Sequence, residues 1–301
     1  MDILRSHSLR SGSTGTHRYF IDSFNKRLVL IAGIISFLIL IFVFAFILKE
    51  SIPGIRQFGL FNLIFGKTWD PSVERYGFLS LIVGSLFSTA IAMVIAIPLS
   101  LSTAIFLAEV APPRIGQIAR PVVELLVGIP SVVYGLVGLF FLAPLINDIG
   151  PPGGSGRCVL TAGIVLAVMI LPTIAGITED SIRAVPKRYK EASLALGANH
   201  WQTIWHVILP AARSGIIGAV ILGIGRAIGE TMAMVMVIGN SAQFPTSPFQ
   251  PAFTLTGAIA HYSLESYGAF RSVLFAAGLV LLAVIVVINL VAILVHRRMA
   301  R

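Results

Sequence analysis

The sequence predicts an all-α integral membrane protein with six transmembrane helices. Of its 301 residues, 56% are hydrophobic and only 12% are charged. Soluble domains run at about 45–50% apolar and about 25% charged. Six stretches, 28–48, 78–108, 122–146, 158–178, 214–238 and 272–295, are long and apolar enough to cross a bilayer as helices, which takes about 20 residues. The third observation is the placement of lysine and arginine. Fifteen fall in 1–27, 109–121, 179–213 and 296–301, six fall in the alternating segments, and Arg226 lies inside a span. The positive-inside rule then puts both termini and the 179–213 loop in the cytoplasm. The net charge of +9 follows from this asymmetry and needs no nucleic-acid partner.

The elements follow in order. The tail 1–27 is rich in Ser, Gly and Arg and is predicted to be disordered. The first span has an apolar core of 21 residues and is followed by Lys49-Glu50. That is too long for the core of a cleaved leader and lacks a small-residue cleavage site. Segment 49–77 is external and contains Trp69, Asp70 and Pro71. The second span carries Pro98 and is predicted to kink or tilt. Its Ser85, Ser88 and Thr89 are expected to be packing or backbone-bonded hydroxyls. Glu109 and Glu124 flank an internal loop with Pro112-Pro113 and are expected near the interface as solvated or capping carboxylates. In the third span, Pro130 frees backbone groups that can line a cavity beside Ser131 and Tyr134. Helix packing is the alternative use of those two residues. The external loop 239–271 holds three prolines and then the apolar run Phe253–Tyr262, expected as a short helix on the outer surface.

Between the fourth and fifth spans lies a polar interruption, EASLALGANHWQTIWHVILP from Glu191 to Pro210. Pro186 can start a helix, since its missing N–H costs nothing at the first helical position. Gly197 can end that helix in a left-handed cap. Asn199 with Gln202 then reads as a capping box opening a second helix. Trp201, Ile204, Trp205 and Ile208 fall at i, i+3, i+4 and i+7, one apolar stripe. The chain thus builds a helix–glycine–helix element on one membrane surface, with an apolar face that needs a partner or the membrane interface. An interfacial helix with both tryptophans at headgroup level is the simpler reading.

The fifth span carries Gly225, Arg226, Gly229, Glu230 and Thr231. Gly225 and Gly229 form a GxxxG that admits a close helix neighbour. Arg226 and Glu230 are four apart and are expected to pair along the helix. An ionisable residue at membrane depth costs about 2.5–3.5 kcal/mol on insertion scales, so two of them call for a reason. A structural ion pair is one; a site on a translocation pathway is the other and is favoured, because Arg226 is too deep in the span to snorkel. The stretch Gly223 to Gly229 superficially looks like a dinucleotide fingerprint, but it lies in a span and follows no strand. No GxxxxGK[ST] phosphate loop occurs anywhere. The single Cys158 excludes an intramolecular disulfide, and the six scattered histidines have no metal-ligand spacing. No cofactor is expected, and any ATP is bound by another subunit.

The residues Glu191-Ala192-Ser193, Gly197, Val207 and Leu209-Pro210 resemble the cytoplasmic signature of ABC-importer membrane subunits, Glu-Ala-Ala, Gly, Ile, Leu-Pro at the same spacing. Ser193 and Val207 are conservative departures. The motifs GRAIGETMAMVMVIGN (225–240) and GIPSVVYG (128–135) resemble those of phosphate-importer permeases. The Met run after Gly-Glu-Thr is similar to one of the two paired permeases rather than to its partner, where Ala-Pro is usual. The resemblance covers roughly 76–296. It implies a type I (MetI-like) permease core over 76–296, preceded by a tail, first helix and external segment over 1–75 and followed by a tail over 297–301. It also implies a non-catalytic subunit of the bacterial inner membrane that forms the pathway for inorganic phosphate. Glu191, Ala192, Gly197, Leu209 and Pro210 would couple to the ATPase. Arg226, Glu230, Thr231, Ser131 and Tyr134 would line the pathway. The implied partners are a second permease, a dimer of ATPase subunits, an external phosphate-binding protein and membrane lipid. Alternatives are a permease for sulfate, molybdate or an amino acid, and a stand-alone secondary transporter, which would lack the Glu191–Pro210 element.

Overall fold

The computed structural model describes residues 14–152 and 154–299. Among them, six helical stretches are long and apolar enough to cross a membrane: 25–58, 79–110, 131–149, 159–183, 200–228 and 268–294. The described chain falls into two compact units that part between Glu50 and Ser51. Helix α1 (Thr14–Phe58) supplies the first unit. Its residues 25–45 are exposed throughout, a helix apolar all round with its lipid-compatible surface uncovered. Helix begins at Thr14, so 14–27 is not the disordered tail expected. Residues 1–13 and 300–301, the outer parts of both tails, lie outside the described residues.

The second unit starts with the last turns of α1. There Gly54 donates its N–H to Ser272 Oγ at 2.7 Å. A Cβ at Gly54 would lie 3.0 Å from the Ser272–Val273 backbone, a tight contact that glycine avoids. Helix α2 (Leu60–Phe65) and a hairpin of β1 (Trp69–Asp70) and β2 (Arg75–Tyr76) follow, with Trp69 opposite Tyr76. Trp69 is 3% exposed and packs against Tyr76, Phe78, Tyr262 and Phe270. Residues 51–75 therefore share a core with 253–280.

The central pair is α3 (Leu79–Ile105) and α7 (Val159–Arg183), joined by α10 (Leu209–Ile228). Small residues set their spacing. Ala92, Ala96, Ala162, Ala167 and Ala219 are buried, and a Cβ on Gly163 would meet the Ile91 side chain at 2.6 Å. Where α10 meets α7, the stripe is Ala219, Gly223 and Ala227, with Gly223 against Ile174. The close approach within the chain is thus two residues out of register from the expected Gly225/Gly229 pair. Gly225 has open space beside it, and Gly229 faces only carbonyls of its own chain.

Two expectations about spans change. The third does not run through 122–146. Helix α4 (Pro113–Gly128) is amphipathic and stops at Ile129-Pro130, because a residue before proline is driven out of the helical region. The span is built from α5 (Ser131–Val137), a π turn at Gly138–Leu142 and α6 (Ala143–Ile149). The fifth does not run unbroken through 214–238. Helix α10 ends at Ile228, and α11 (Met232–Val237) starts after an irregular link, Gly229–Thr231.

The run Phe253–Tyr262 behaves in part as expected. Helix α12 (Leu255–Tyr262) forms with Thr254 as its cap. It is packed into the body rather than laid on the surface. Phe253, Leu255 and Ala258 are buried, and the Leu255 N–H donates to Ser85 Oγ at 2.9 Å. Ser85 and Ser88 donate to the backbone carbonyls of Leu81 and Gly84, as their sequence context suggested. Helix α13 (Gly268–Met299) completes the unit.

Candidate functional site

The Glu191–Pro210 element is built by local signals. Pro186 sits one position earlier than expected, as the N-cap rather than the first residue of α8 (Lys187–Ala195). Gly197 has φ +88. The Gly197 N–H donates to Leu194 O at 3.0 Å and the Ala198 N–H to Ser193 O at 3.2 Å, the two bonds of a Schellman cap. Helix α9 (His200–Thr203) opens with the capping box. Asn199 Oδ1 accepts from the Gln202 N–H at 2.8 Å, and Gln202 Oε1 accepts from the Asn199 N–H at 2.9 Å.

The expected apolar stripe is divided by a π turn at Ile204–Ile208. Ile204 and Ile208 are buried with Ile105, Ile182 and Ala212. Trp201 and Trp205 remain 57% and 56% exposed. Leu196, at the end of α8, is 90% exposed. Glu191 and Ala192 are exposed on α8, Leu209 is buried, and Pro210 is exposed at the first turn of α10. One side of the element is therefore locked to the bundle and the other presents apolar groups outward.

The lock is polar as well as apolar. Lys190 Nζ donates to Glu109 Oε2 at 2.5 Å. His200 Nε2 lies 3.2 Å from Glu109 O, and Arg183 Nη2 donates to Leu107 O at 2.8 Å. Glu109 and Leu107 belong to a third π turn, Phe106–Val110, at the end of α3. Glu109 is thus a docked carboxylate, not the solvated or capping group expected. Nothing local marks this pairing, since 81 residues separate the partners.

Arg226 occupies the last turn of α10, where a cation is favoured by the helix dipole. The expected pair with Glu230 does not form. The i,i+4 relation needs a continuous helix, and α10 ends between the two residues. Glu230 instead caps α11, its Oε1 accepting from the Ala233 N–H at 3.3 Å. Its carbonyl accepts from Thr256 Oγ1 at 2.8 Å. Thr231 Oγ1 donates to Gly229 O at 3.2 Å within the link. Tyr134 Oη donates to Leu126 O at 2.8 Å and so bridges the break between α4 and α5. Ser131 begins α5 at the same break. The helices that follow the two breaks pack together, α5 on α11, with Gly135 against Ala233 and Met236. Irregular backbone at membrane depth is tolerated where it is buried in protein or lines a cavity.

Arg226 makes no ion pair or side-chain hydrogen bond among the described residues. It borders two cavities. One, of about 620 Å³, is shared with Thr173, Gly225 and Asn289. The other, of about 290 Å³, is lined by Arg120, Glu124, Thr173, Glu179, Asp180 and Arg226 among others. Around the second cavity the charges are dense. Arg120 reaches Asp180 at 2.9 Å, Glu124 at 3.1 Å and Glu179 at 3.8 Å. Arg183 holds Glu179 at 2.8 Å. The Arg120 pKa is raised, first by the Glu124 hydrogen bond and then by the charges of Glu179 and Asp180. Sequence reasoning flagged Glu124 and Arg226 but not the others. The available signal was Arg120 four residues before Glu124, and Glu179 four before Arg183, each at helical spacing.

The comparisons with known proteins agree with this architecture. Residues 96–301 match the family described as binding-protein-dependent transport system inner membrane component. The chain is 36% identical over 276 residues to the phosphate transport system permease protein PstC of Pasteurella multocida, covering 85% of each chain. It is 46% identical over 218 residues to the probable ABC transporter permease protein YqgH of Bacillus subtilis, covering 71% of this chain and 70% of that one. Among solved structures, an inward-facing MetNI methionine ABC transporter chain superimposes with a TM-score of 0.59 at 19% identity, covering 77% of this chain and all of that one. At that identity the likeness speaks for the type I permease fold. With six apolar helices, a family match over two thirds of its length and relatives along most of it, the chain is a multi-pass membrane protein of the binding-protein-dependent transport system inner membrane component family.

Proposed function

We propose that this chain is one of two distinct permease subunits of an ATP-driven importer and forms part of the membrane passage for inorganic phosphate. The observation that carries the reading is the Glu191–Pro210 element, with Leu196, Trp201 and Trp205 turned outward on a base pinned to α3 and α7. Such a face needs a partner of matching apolar shape, and an ATPase subunit supplies one. The substrate class rests on the names of the relatives and on Arg226, an exposed cation in the last turn of α10 that borders two open clefts.

In this reading, both termini and the 187–210 element lie in the cytoplasm, loop 239–271 lies outside, and lipid surrounds the spans. ATP binding closes the ATPase dimer and draws the coupling elements of the two permeases together. The base of α3 and α7 follows through Lys190–Glu109 and Arg183–Leu107. Phosphate delivered by an external binding protein passes Arg226 as an anion. Glu230, across the link, keeps that site from holding the anion too firmly. Gly225 and Gly229, unused within the chain, face the second permease. The subunit carries no hydrolytic chemistry of its own, and ATP hydrolysis belongs to the partner.

Purification of the tagged chain from membranes tests the assembly, with an ATPase subunit expected to copurify and to be lost in the Trp201→Ala/Trp205→Ala variant. Cysteine labelling tests the orientation once Cys158→Ser is in place. Ser247→Cys should react with an impermeant reagent from outside, and reaction only from the cytoplasmic side would overturn the topology.

A further inference from the structure

The cavity beside Arg226 holds a second arginine whose surroundings differ. Arg120 sits on α4 with its side chain 43% exposed, and it touches three carboxylates. Two of these, Glu124 and Asp180, are 67% and 63% exposed. The third, Glu179, is 3% exposed and already has its own partner, Arg183 at 2.8 Å. Exposed pairs are worth only about 0–1 kcal/mol, so Glu124 and Asp180 are easily displaced. Glu179 is not, because its carboxylate is buried and Arg183 holds it at 2.8 Å.

Arg120 is not needed to neutralise Glu179, from which it stands 3.8 Å away. A guanidinium serving only as a pin would be enclosed. This one borders a cavity of about 290 Å³ that Arg226 also lines. Thr173 and Arg226 both line the two cavities. From Thr173 to Asp180 is seven residues along α7, or about 10 Å of helix toward the 187–210 element.

We propose that Arg120 is a second anion-binding station, on the cavity it shares with Arg226 and on the side of the 187–210 element, with Glu124 and Asp180 as resident stand-ins for the transported oxyanion. This rests on the reading that phosphate passes Arg226. A dianion presents two charges and paired oxygens to the guanidinium fork and takes the places of Glu124 and Asp180. The fixed charge of Glu179 repels it and keeps its stay short. No covalent bond changes.

The test is phosphate uptake by the full transporter in cells lacking other phosphate importers, with membrane abundance and copurified ATPase measured alongside. Arg120→Gln should lower the maximal rate by at least about tenfold, the scale of one charge-assisted hydrogen bond. The half-saturating phosphate concentration and the abundance should stay within about twofold, because a station beyond Arg226 does not set capture at the outer face. A triple variant, Arg120→Gln with Glu124→Gln and Asp180→Asn, removes the cation and its two exposed partners together. It should remain as impaired as the single variant, and it decides the matter if Arg120→Gln alone is poorly expressed. Restored uptake in the triple variant would mean a structural network and would overturn the proposal. So would normal uptake in Arg120→Gln while Arg226→Gln is inactive. Normal uptake in both single variants would instead remove the underlying pathway reading.

Discussion

Residues 187–210 and 225–240 each combine glycine, charge and apolar side chains, yet they fold by different rules. In the first, each terminator acts within a turn of itself. Gly197 turns left-handed and Asn199 and Gln202 cap each other. In the second, the glycines do not act as the spacing suggests. Gly225 faces open space, Gly229 closes α10, and Glu230 turns to α11. The contrast teaches that a cap is a property of a few neighbouring residues, whereas a break inside a span depends on what receives the freed backbone. Here the receiver includes Thr256, 26 residues away, bonded to the Glu230 carbonyl.

The largest expected effect belongs to the second region. Arg226→Gln should lower phosphate uptake by roughly 100-fold with the complex still assembled, since a desolvated charge contact to an anion is worth about 1.5–3 kcal/mol. Uptake at the parental rate would end the pathway role. Because Arg226 and Glu230 are not paired, the swap Arg226→Glu/Glu230→Arg should restore nothing, and recovery in the swap would show that they pair in the working state.

In the first region, Gly197→Val should uncouple or disassemble the complex, assayed by ATPase copurification and uptake. Its cost is about 1–2 kcal/mol of backbone strain, and it is pure strain, because no atom lies within 4 Å of an added Cβ. Gly197→Asn should keep most function, as asparagine tolerates the left-handed region. Equal loss in both would point to a contact with the ATPase rather than to the cap. Lys190→Met should leave ATPase binding in place and reduce uptake per ATP hydrolysed, by the scale of about 1 kcal/mol for a partly exposed pair. Unchanged coupling would mean that Glu109 anchors nothing that moves. The smallest effect is expected for Asn199→Ala, about 1 kcal/mol from the lost cap, read as a modest fall in thermal stability of the purified complex.

The sequence by itself determined the class, the number of spans and the caps of the 187–210 element, though not the π turn that divides its apolar stripe. These depend on composition and on interactions reaching no more than about a turn, such as Gly197 at φ +88 and the Asn199–Gln202 box. It also marked Pro130 and Arg226 as special, though not why. The tertiary structure decided where the third and fifth spans break and which stripe on α10 meets α7. It also decided which charges meet. Lys190 with Glu109 and Arg120 with Asp180 are 81 and 60 residues apart in the chain. An ion pair inside a helical bundle is fixed by how two helices rotate against each other. The same holds for the packing of Ala219, Gly223 and Ala227 on α10 against Ile174 of α7, a fit between surfaces that no local window of sequence contains.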